Sequence, residues 1–236
     1  MRRAPSARLL LIVAALAFAG RAAAQVRGSV AIASDDRFRG RSVSQGWPVA
    51  TLDLSYDAPN GAYLGVAATG VVTQHDGPRF LAAQQYVGYA TRLPAGPTLD
   101  FGATHANYTE YYNGRRAAQY SELYAGVILR RLTARLYYSP NYFDRGQKTL
   151  YGELDSAIRP ARGLRLSAHA GVLTVLDGYL PPGYAATQFD WRLGLATEIK
   201  SFEIEVAWSG AGPDRDYYAG KVQSQSGVLL ALRHSF

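Results

Sequence analysis

The sequence predicts an all-β protein: a transmembrane, antiparallel, up-and-down β-barrel of about twelve strands behind an N-terminal signal peptide. Three observations predict it. From Gln25 onward apolar and polar residues alternate with period two; the connections alternate between short and long; and the last strand ends its apolar alternation on Phe236.

The first element is the leader. Arg2, Arg3 and Arg8 precede an uninterrupted apolar run of 12 residues, Leu9–Gly20, and Ala22-Ala23-Ala24 then offers a small-residue cleavage site. The run is well short of the ~20 residues that a spanning helix needs, so residues 1–24 are expected to be removed after Ala24. The chain of 236 residues has a formal net charge of +7, but Arg2, Arg3, Arg8 and Arg21 belong to the leader. What remains is only about +3, too weak an electrostatic footprint for nucleic acid. Charged residues make up 18% of the chain, below the ~25% of soluble domains. Cysteine is absent, which excludes a disulfide scaffold, a Cys-based zinc site and a Cys nucleophile, and suits an oxidising periplasm.

Twelve alternating segments follow: Val26–Ser34, Val49–Tyr56, Ala62–Val72, Ala82–Leu93, Thr98–Tyr108, Gln119–Leu129, Leu132–Ser139, Thr149–Arg159, Leu164–Val175, Phe189–Ile199, Phe202–Ser209 and Ser226–Phe236. Successive side chains of a strand point to opposite faces, so each segment has one apolar and one polar face. Short links (Asp57–Gly61, Pro94–Pro97, Arg130–Arg131, Pro160–Gly163, Lys200–Ser201) alternate with long ones (Asp35–Pro48, Thr73–Leu81, Thr109–Ala118, Pro140–Lys148, Leu176–Gln188, Gly210–Gln225). Transmembrane barrels have this asymmetry, with tight periplasmic turns and longer outer loops.

A soluble sandwich or a lipocalin-like barrel alternates too, with its apolar face inward. Three features favour the membrane barrel. The final strand, Val228, Leu230, Leu232, His234 and Phe236 on one face, is amphipathic and ends in an aromatic residue resembling the signal read by the outer-membrane assembly machinery. Phe189, Trp191 and Trp208 fall at one end of the apolar face and Tyr56, Phe202 and Phe236 at the other, as interfacial girdles do. Several segments also match the ~9–11 residues of a tilted crossing.

Particular residues resemble a family. Ser34-Asp35-Asp36-Arg37-Phe38-Arg39-Gly40 with Pro48 and Ala50, then Glu122-Leu123-Tyr124-Ala125-Gly126, then Tyr138-Ser139-Pro140-Asn141-Tyr142-Phe143, resemble three segments of the TorF-type porin family of proteobacteria. Asp36 stands where that family often has an aromatic residue, and Arg41 where it favours an apolar one. The resemblance runs over essentially the whole mature chain. It implies an outer-membrane barrel with a pore, and no catalytic residues.

Chemistry-bearing constellations are few. Ser167 and His169 share a face at i, i+2, and a lipid-modifying enzyme reading would use them, but no orienting acid or oxyanion site accompanies them along the chain. His75, His105, His169 and His234 have no metal-ligand spacing, and Asp214 and Asp216 read as a solvated loop. Neither a metal nor a cofactor is expected. Arg37, Arg39 and Arg41, in the first long loop, are candidates for a pore mouth.

The polar face predicts the lumen. Its bases are Arg27, Arg92, Arg135, Arg159, Arg165, Arg192 and Arg233, and its acids Asp53, Asp100, Glu122, Glu153, Asp155, Asp190, Glu198, Glu203 and Glu205. Near balance argues against strong anion selectivity. Twelve strands about 4.7 Å apart and tilted ~40° close at a backbone radius of roughly 12 Å, which inward Arg, Glu and Tyr side chains would half fill. The expectation is a narrow porin for small hydrophilic solutes in the bacterial outer membrane, surrounded by lipid and lipopolysaccharide. The alternative is a non-conducting barrel, its lumen plugged, whose long loops bind lipid or an external partner.

Overall fold

The computed structural model describes residues 25–74, 77–94, 96–112, 116–144, 146–180, 184–213 and 226–236; the leader lies outside them, as do His75, Asp214 and Asp216. Strand β1 (Gln25–Ala33) leads into a small hairpin, β2 (Arg37–Phe38) and β3 (Arg41–Ser42). After it come β4 (Val49–Asp57), β5 (Ala62–Thr73), β6 (Gly77–Arg92), β7 (Thr98–Tyr112), β8 (Arg116–Ile128) and β9 (Leu132–Ser139). The chain ends with β10 (Lys148–Ala161), β11 (Leu164–Asp177), β12 (Thr187–Ile199), β13 (Phe202–Gly212) and β14 (Ser226–Ser235). Strands β1 and β4 to β14 form a closed antiparallel barrel of twelve, and β2–β3 stand apart from it.

Every predicted strand is present, and two predicted loops are shorter than expected. Thr73–Leu81 and Thr109–Ala118 are largely absorbed into the β5–β6 and β7–β8 hairpins, where Val72 pairs with Pro78 and Tyr112 with Arg116. The turn residues Gly77 and Pro78 read as breakers in sequence, but proline is tolerated at the start of a strand. The Thr109 hydroxyl then ties the hairpins together, donating to the Phe80 carbonyl at 2.6 Å.

Alternation resolves outward for the apolar side chains. Val30, Ile32, Leu52, Leu54, Leu64 and Val66 are all exposed on the outer wall, an apolar band that suits lipid and would be an aggregation site in water. That orientation rules out the sandwich and the lipocalin-like barrel. Among the described residues no helix is long and apolar enough to cross a membrane. Aromatics gather at the two ends of the outer wall: Phe189, Trp191 and Trp208 have ring centroids 6.0 and 5.6 Å apart, and Phe202, His234 and Phe236 lie 5.0 and 6.2 Å apart.

On the inner wall, tyrosine is set opposite glycine. Tyr86 pairs with Gly65, Tyr63 with Gly88 and Tyr124 with Gly102. At each of these glycines a Cβ would collide with the tyrosine ring. The missing side chain lets the ring lie flat across the neighbouring strand, so wall and filler fit within a narrow lumen.

The buried apolar cluster lies inside the barrel, toward the long-loop end. Val49, Val71, Ala106, Tyr108, Tyr120, Tyr151 and Leu173 from the wall enclose Val43, Tyr142 and Phe143, with Phe38 and Trp47 packed against them. The lumen is therefore layered, with an aromatic core toward the long loops and a charged chamber toward the short turns.

Candidate functional site

The site is the lumen, and the segment Ser34–Pro48 organises it. Asp35 holds this segment together: Oδ1 accepts the Ser42 and Ser44 hydroxyls at 2.5 and 2.8 Å and the Gly46 amide at 3.2 Å, and Oδ2 accepts Arg37 Nε at 2.9 Å. Such an Asp-centred loop is rigid before it docks. Gly40, at φ +72°, forms the tip; a Cβ there would meet the Gly210 carbonyl and the Asp190 side chain. Only glycine lets the hairpin lie this close to β12 and β13.

The sequence places Arg37, Arg39 and Arg41 at a pore mouth; the structure turns them inward. The side chain of Arg37 is 5% exposed and reaches the Gly40 carbonyl at 3.0 Å. Arg41 is buried, its guanidinium 3.3 Å from both the Gln188 side chain and the Pro213 carbonyl. Arg39 crosses to the far wall. It donates to both carboxylate oxygens of Glu122 at 2.8 and 2.9 Å and to the Tyr142 hydroxyl at 2.7 Å, and its guanidinium lies 3.8 Å from the Tyr151 ring centroid. Nη2 makes both bonds to the carboxylate while Nη1 reaches Tyr142, and a planar guanidinium that holds two partners and stacks on a ring cannot be copied by lysine. Side-chain exposures of 8% and 3% make this a buried ion pair.

The backbone is strained at this place. Arg39 and Phe143 adopt φ values of 48° and 51°, the left-handed region that non-glycine residues avoid, and such strain persists where surrounding contacts over-determine it. Phe38 stacks within 5.2 Å of Tyr120 and 5.9 Å of Phe143. Ser34–Gly40, Glu122–Gly126 and Tyr138–Phe143 are far apart in sequence, yet Arg39, Glu122 and Tyr142 meet at one point.

Below this plug the lumen opens. Cavities of about 290 and 400 Å³ lie against the inserted segment, and one of about 660 Å³ lies toward the short-turn end. Their charges are largely matched. Arg165 donates to Glu203 at 2.7 and 3.1 Å, Arg192 to Glu205 at 2.9 Å and Arg135 to Asp100 at 3.0 Å, with Glu153 at 3.8 Å. His169 has Nδ1 2.8 Å from Asp155 and Nε2 2.9 Å from Asp190.

A family described as "Bacterial protein of unknown function (Gcw_chp)" matches residues 18–236. The chain belongs to the Gcw_chp family. No curated protein matches it by sequence. By structure this Gcw_chp chain resembles the NanC porin, with TM-score 0.59, 11% identity and coverage of 90% of this chain and 99% of that one. It also resembles the KdgM porin, with TM-score 0.53, 12% identity and coverage of 89% and 99%. At such identities the likeness is one of fold.

The other predicted lumen residues spread along the Gcw_chp barrel. Arg27, 3.7 Å from Asp57, and Arg159, 4.0 Å from Glu198, are exposed charge pairs at the short-turn rim, where Arg92 is exposed as well. Arg233 and Asp53 line the 400 Å³ cavity with Asp36. His169, which shares the face of Ser167, has both ring nitrogens directed at carboxylates, Asp155 and Asp190. The lumen tyrosines were not singled out by sequence reasoning. Tyr63 bonds to both Asp100 and Tyr124, and the Tyr137 hydroxyl donates to Glu153 at 2.9 Å. The signal was available: Tyr124, Tyr137 and Tyr151 each lie two residues from a predicted lumen charge.

Asp36 is expected to make the seating of the Ser34–Pro48 segment pH-dependent. Burial, with Asp35 adding to it, pushes its carboxyl from 3.8 up to about 6. A carboxyl that titrates higher when the plug is seated binds more protons in that state between those two values, so seating weakens as pH rises through that window. Conductance is expected to be lower at pH 4 than at pH 7, and Asp36→Asn is expected to remove the difference by keeping the pH 7 value low. A wild-type conductance independent of pH would contradict this.

Proposed function

We propose that this protein is an outer-membrane porin for small hydrophilic solutes, exported with residues 1–24 as a cleaved leader, whose resting lumen is closed from the long-loop end by Ser34–Pro48. The observation that carries the reading is the buried Arg39–Glu122 pair, which fastens the plug to the opposite wall. The lipid-compatible outer wall, the polar chamber and the likeness in fold to two porins support it. The long-loop end faces outward, with lipopolysaccharide around it, and both ends of the barrel domain lie on the periplasmic side.

One structure of the KdgM porin was determined with oligogalacturonate, an acidic sugar chain. Here Arg165 and Arg192 are each taken up by a glutamate, so along this wall, among the described residues, the arginines do not form an unpaired run. Small polar solutes of either charge fit it better than polyanions. The aromatic core at the long-loop end favours a second reading, a permanently closed barrel whose loops bind an external partner.

Planar-bilayer recording separates the two. Replacing Arg135, Arg165 and Arg192 together by Gln leaves Asp100, Glu153, Glu203 and Glu205 uncompensated. Under a salt gradient the reversal potential is expected to move toward cation preference, because fixed charges act strongly in a narrow, low-dielectric lumen. Folded protein that never conducts, even with the plug cut out, would establish the closed barrel instead.

A further inference from the structure

We propose that Glu153, Asp155 and His169 bind a divalent transition-metal cation inside the lumen, with Asp190 orienting the imidazole. The site stands whether or not the barrel conducts. Strand register builds it: β10 and β11 set Asp155 opposite His169 and Glu153 opposite Gly171, and β12 sets Asp190 opposite Gly171 from the other side. All four side chains thus point into the barrel. One donor atom each from Glu153, Asp155 and His169 lie within 4.8 Å of one another, a separation that a single cation spans with small side-chain adjustments.

The second observation is behind the histidine. Asp190, with its side chain 5% exposed, accepts His169 Nε2 at 2.9 Å, and the Tyr151 hydroxyl donates to its two oxygens at 3.3 and 3.2 Å. A buried carboxylate on the far nitrogen is the arrangement that orients metal-ligating histidines and raises their basicity. It directs Nδ1 toward Asp155, 2.8 Å away. Gly171 keeps the space open, since a Cβ there would collide with the Tyr151 hydroxyl and Asp190.

Charge and access agree. Three carboxylates surround one imidazole, and the guanidinium groups facing them are held elsewhere: Arg135 is closer to Asp100 (3.0 Å) than to Glu153 (3.8 Å), and Arg192, opposite His169, pairs with Glu205 at 2.9 Å. The cation would take the place of the Nδ1 proton that now bonds Asp155, so binding releases a proton. Asp155 has a side chain 43% exposed and borders the 660 Å³ cavity, which gives an entry path from the short-turn end. One imidazole with two carboxylates suits zinc, manganese or cobalt rather than magnesium or calcium, which prefer all-oxygen sites. Three protein ligands leave the remaining positions to water.

Untagged, folded protein stripped with chelator and titrated calorimetrically with Zn²⁺ is expected to bind one equivalent, undisturbed by excess Mg²⁺. His169→Gln and Asp155→Asn should each weaken binding by at least about tenfold, and Asp190→Asn, which touches only the orienting group, by about ten- to a hundredfold. Retained heat-modifiable gel mobility identifies variants that still fold. X-ray absorption on the Zn²⁺-loaded wild type needs no variant and should find one imidazole among oxygen ligands. No binding by the wild type, undiminished affinity in folded His169→Gln, or zero or two imidazoles at the metal would each overturn the assignment. Loss of conductance with Zn²⁺ binding intact would instead count against the porin reading alone.

Discussion

Replacing Arg39 by Ala together with Glu122 by Gln is expected to open the barrel, raising conductance from brief, small events to a sustained level. The pair is buried, engages both carboxylate oxygens and is attached to a plug strained at Arg39 itself. Removing Arg39 alone would leave Glu122 buried and unpaired at a cost of about 3–5 kcal/mol. The double variant loses only the charge-assisted bonds, about 1.5–3 kcal/mol, or roughly a ten- to a hundredfold shift in the seated-to-unseated ratio. Glu122→Gln keeps the second variant from burying an unpaired charge, so any gain in conductance reports the lost latch and not a damaged wall. Arg39→Lys should fall between, since an ammonium keeps the charge but loses the planar group that joins Glu122 to Tyr142 and stacks on Tyr151. Bilayer recordings and uptake of small sugars into proteoliposomes would check this. Unchanged conductance in the folded double variant would mean that the aromatic packing of Phe38 and Phe143, and not the ion pair, holds the plug.

Deleting Phe236 is expected to remove most of the protein from the heat-modifiable outer-membrane fraction. The residue closes the barrel: its amide donates to the Gly28 carbonyl and its carbonyl accepts the Gly28 amide, both at 2.9 Å. The seam it completes is short, with five paired positions between β1 and β14 against nine between β1 and β4. A Cβ at Gly28 would collide with the Phe236 ring, so the ring covers that glycine on the outer wall. Without it the first and last strands lose their final rung and the ring that seats beside His234 at the interface. An open seam leaves strand edges unpaired in lipid, which a membrane barrel cannot tolerate. Fractionation and unheated gel mobility would measure the effect, and normal insertion of the shortened chain would show that the closure tolerates the loss.

Much of the architecture was legible because β-structure writes its faces into the chain two residues at a time. Leu52 and Leu54 alternate with Thr51 and Asp53, and that alone says which side chains share a wall. Once Val30 and Leu64 are seen on the outside, Arg135, Glu153, Asp190 and Glu205 must point inward together. The strand count and the aromatic ends follow from the same local rule. His169 shows where it stops. Scanned along the chain it has no ligand-spaced partner, and its neighbours Asp155 and Asp190 belong to the strands on either side.

The sequence by itself therefore determined the period, the number of crossings and which strand residues share a face, since these depend only on neighbours in the chain. Tertiary structure decided what those charges meet. Arg39 reaches Glu122 across the lumen because a hairpin knotted by Asp35 and tipped by Gly40 folds inward, and no spacing of residues announces that turn. Asp155, His169 and Asp190 converge because the stagger of three strands sets them at one height. Register and closure are properties of the whole barrel: a shift of one residue in any seam would send each of these side chains to the opposite face.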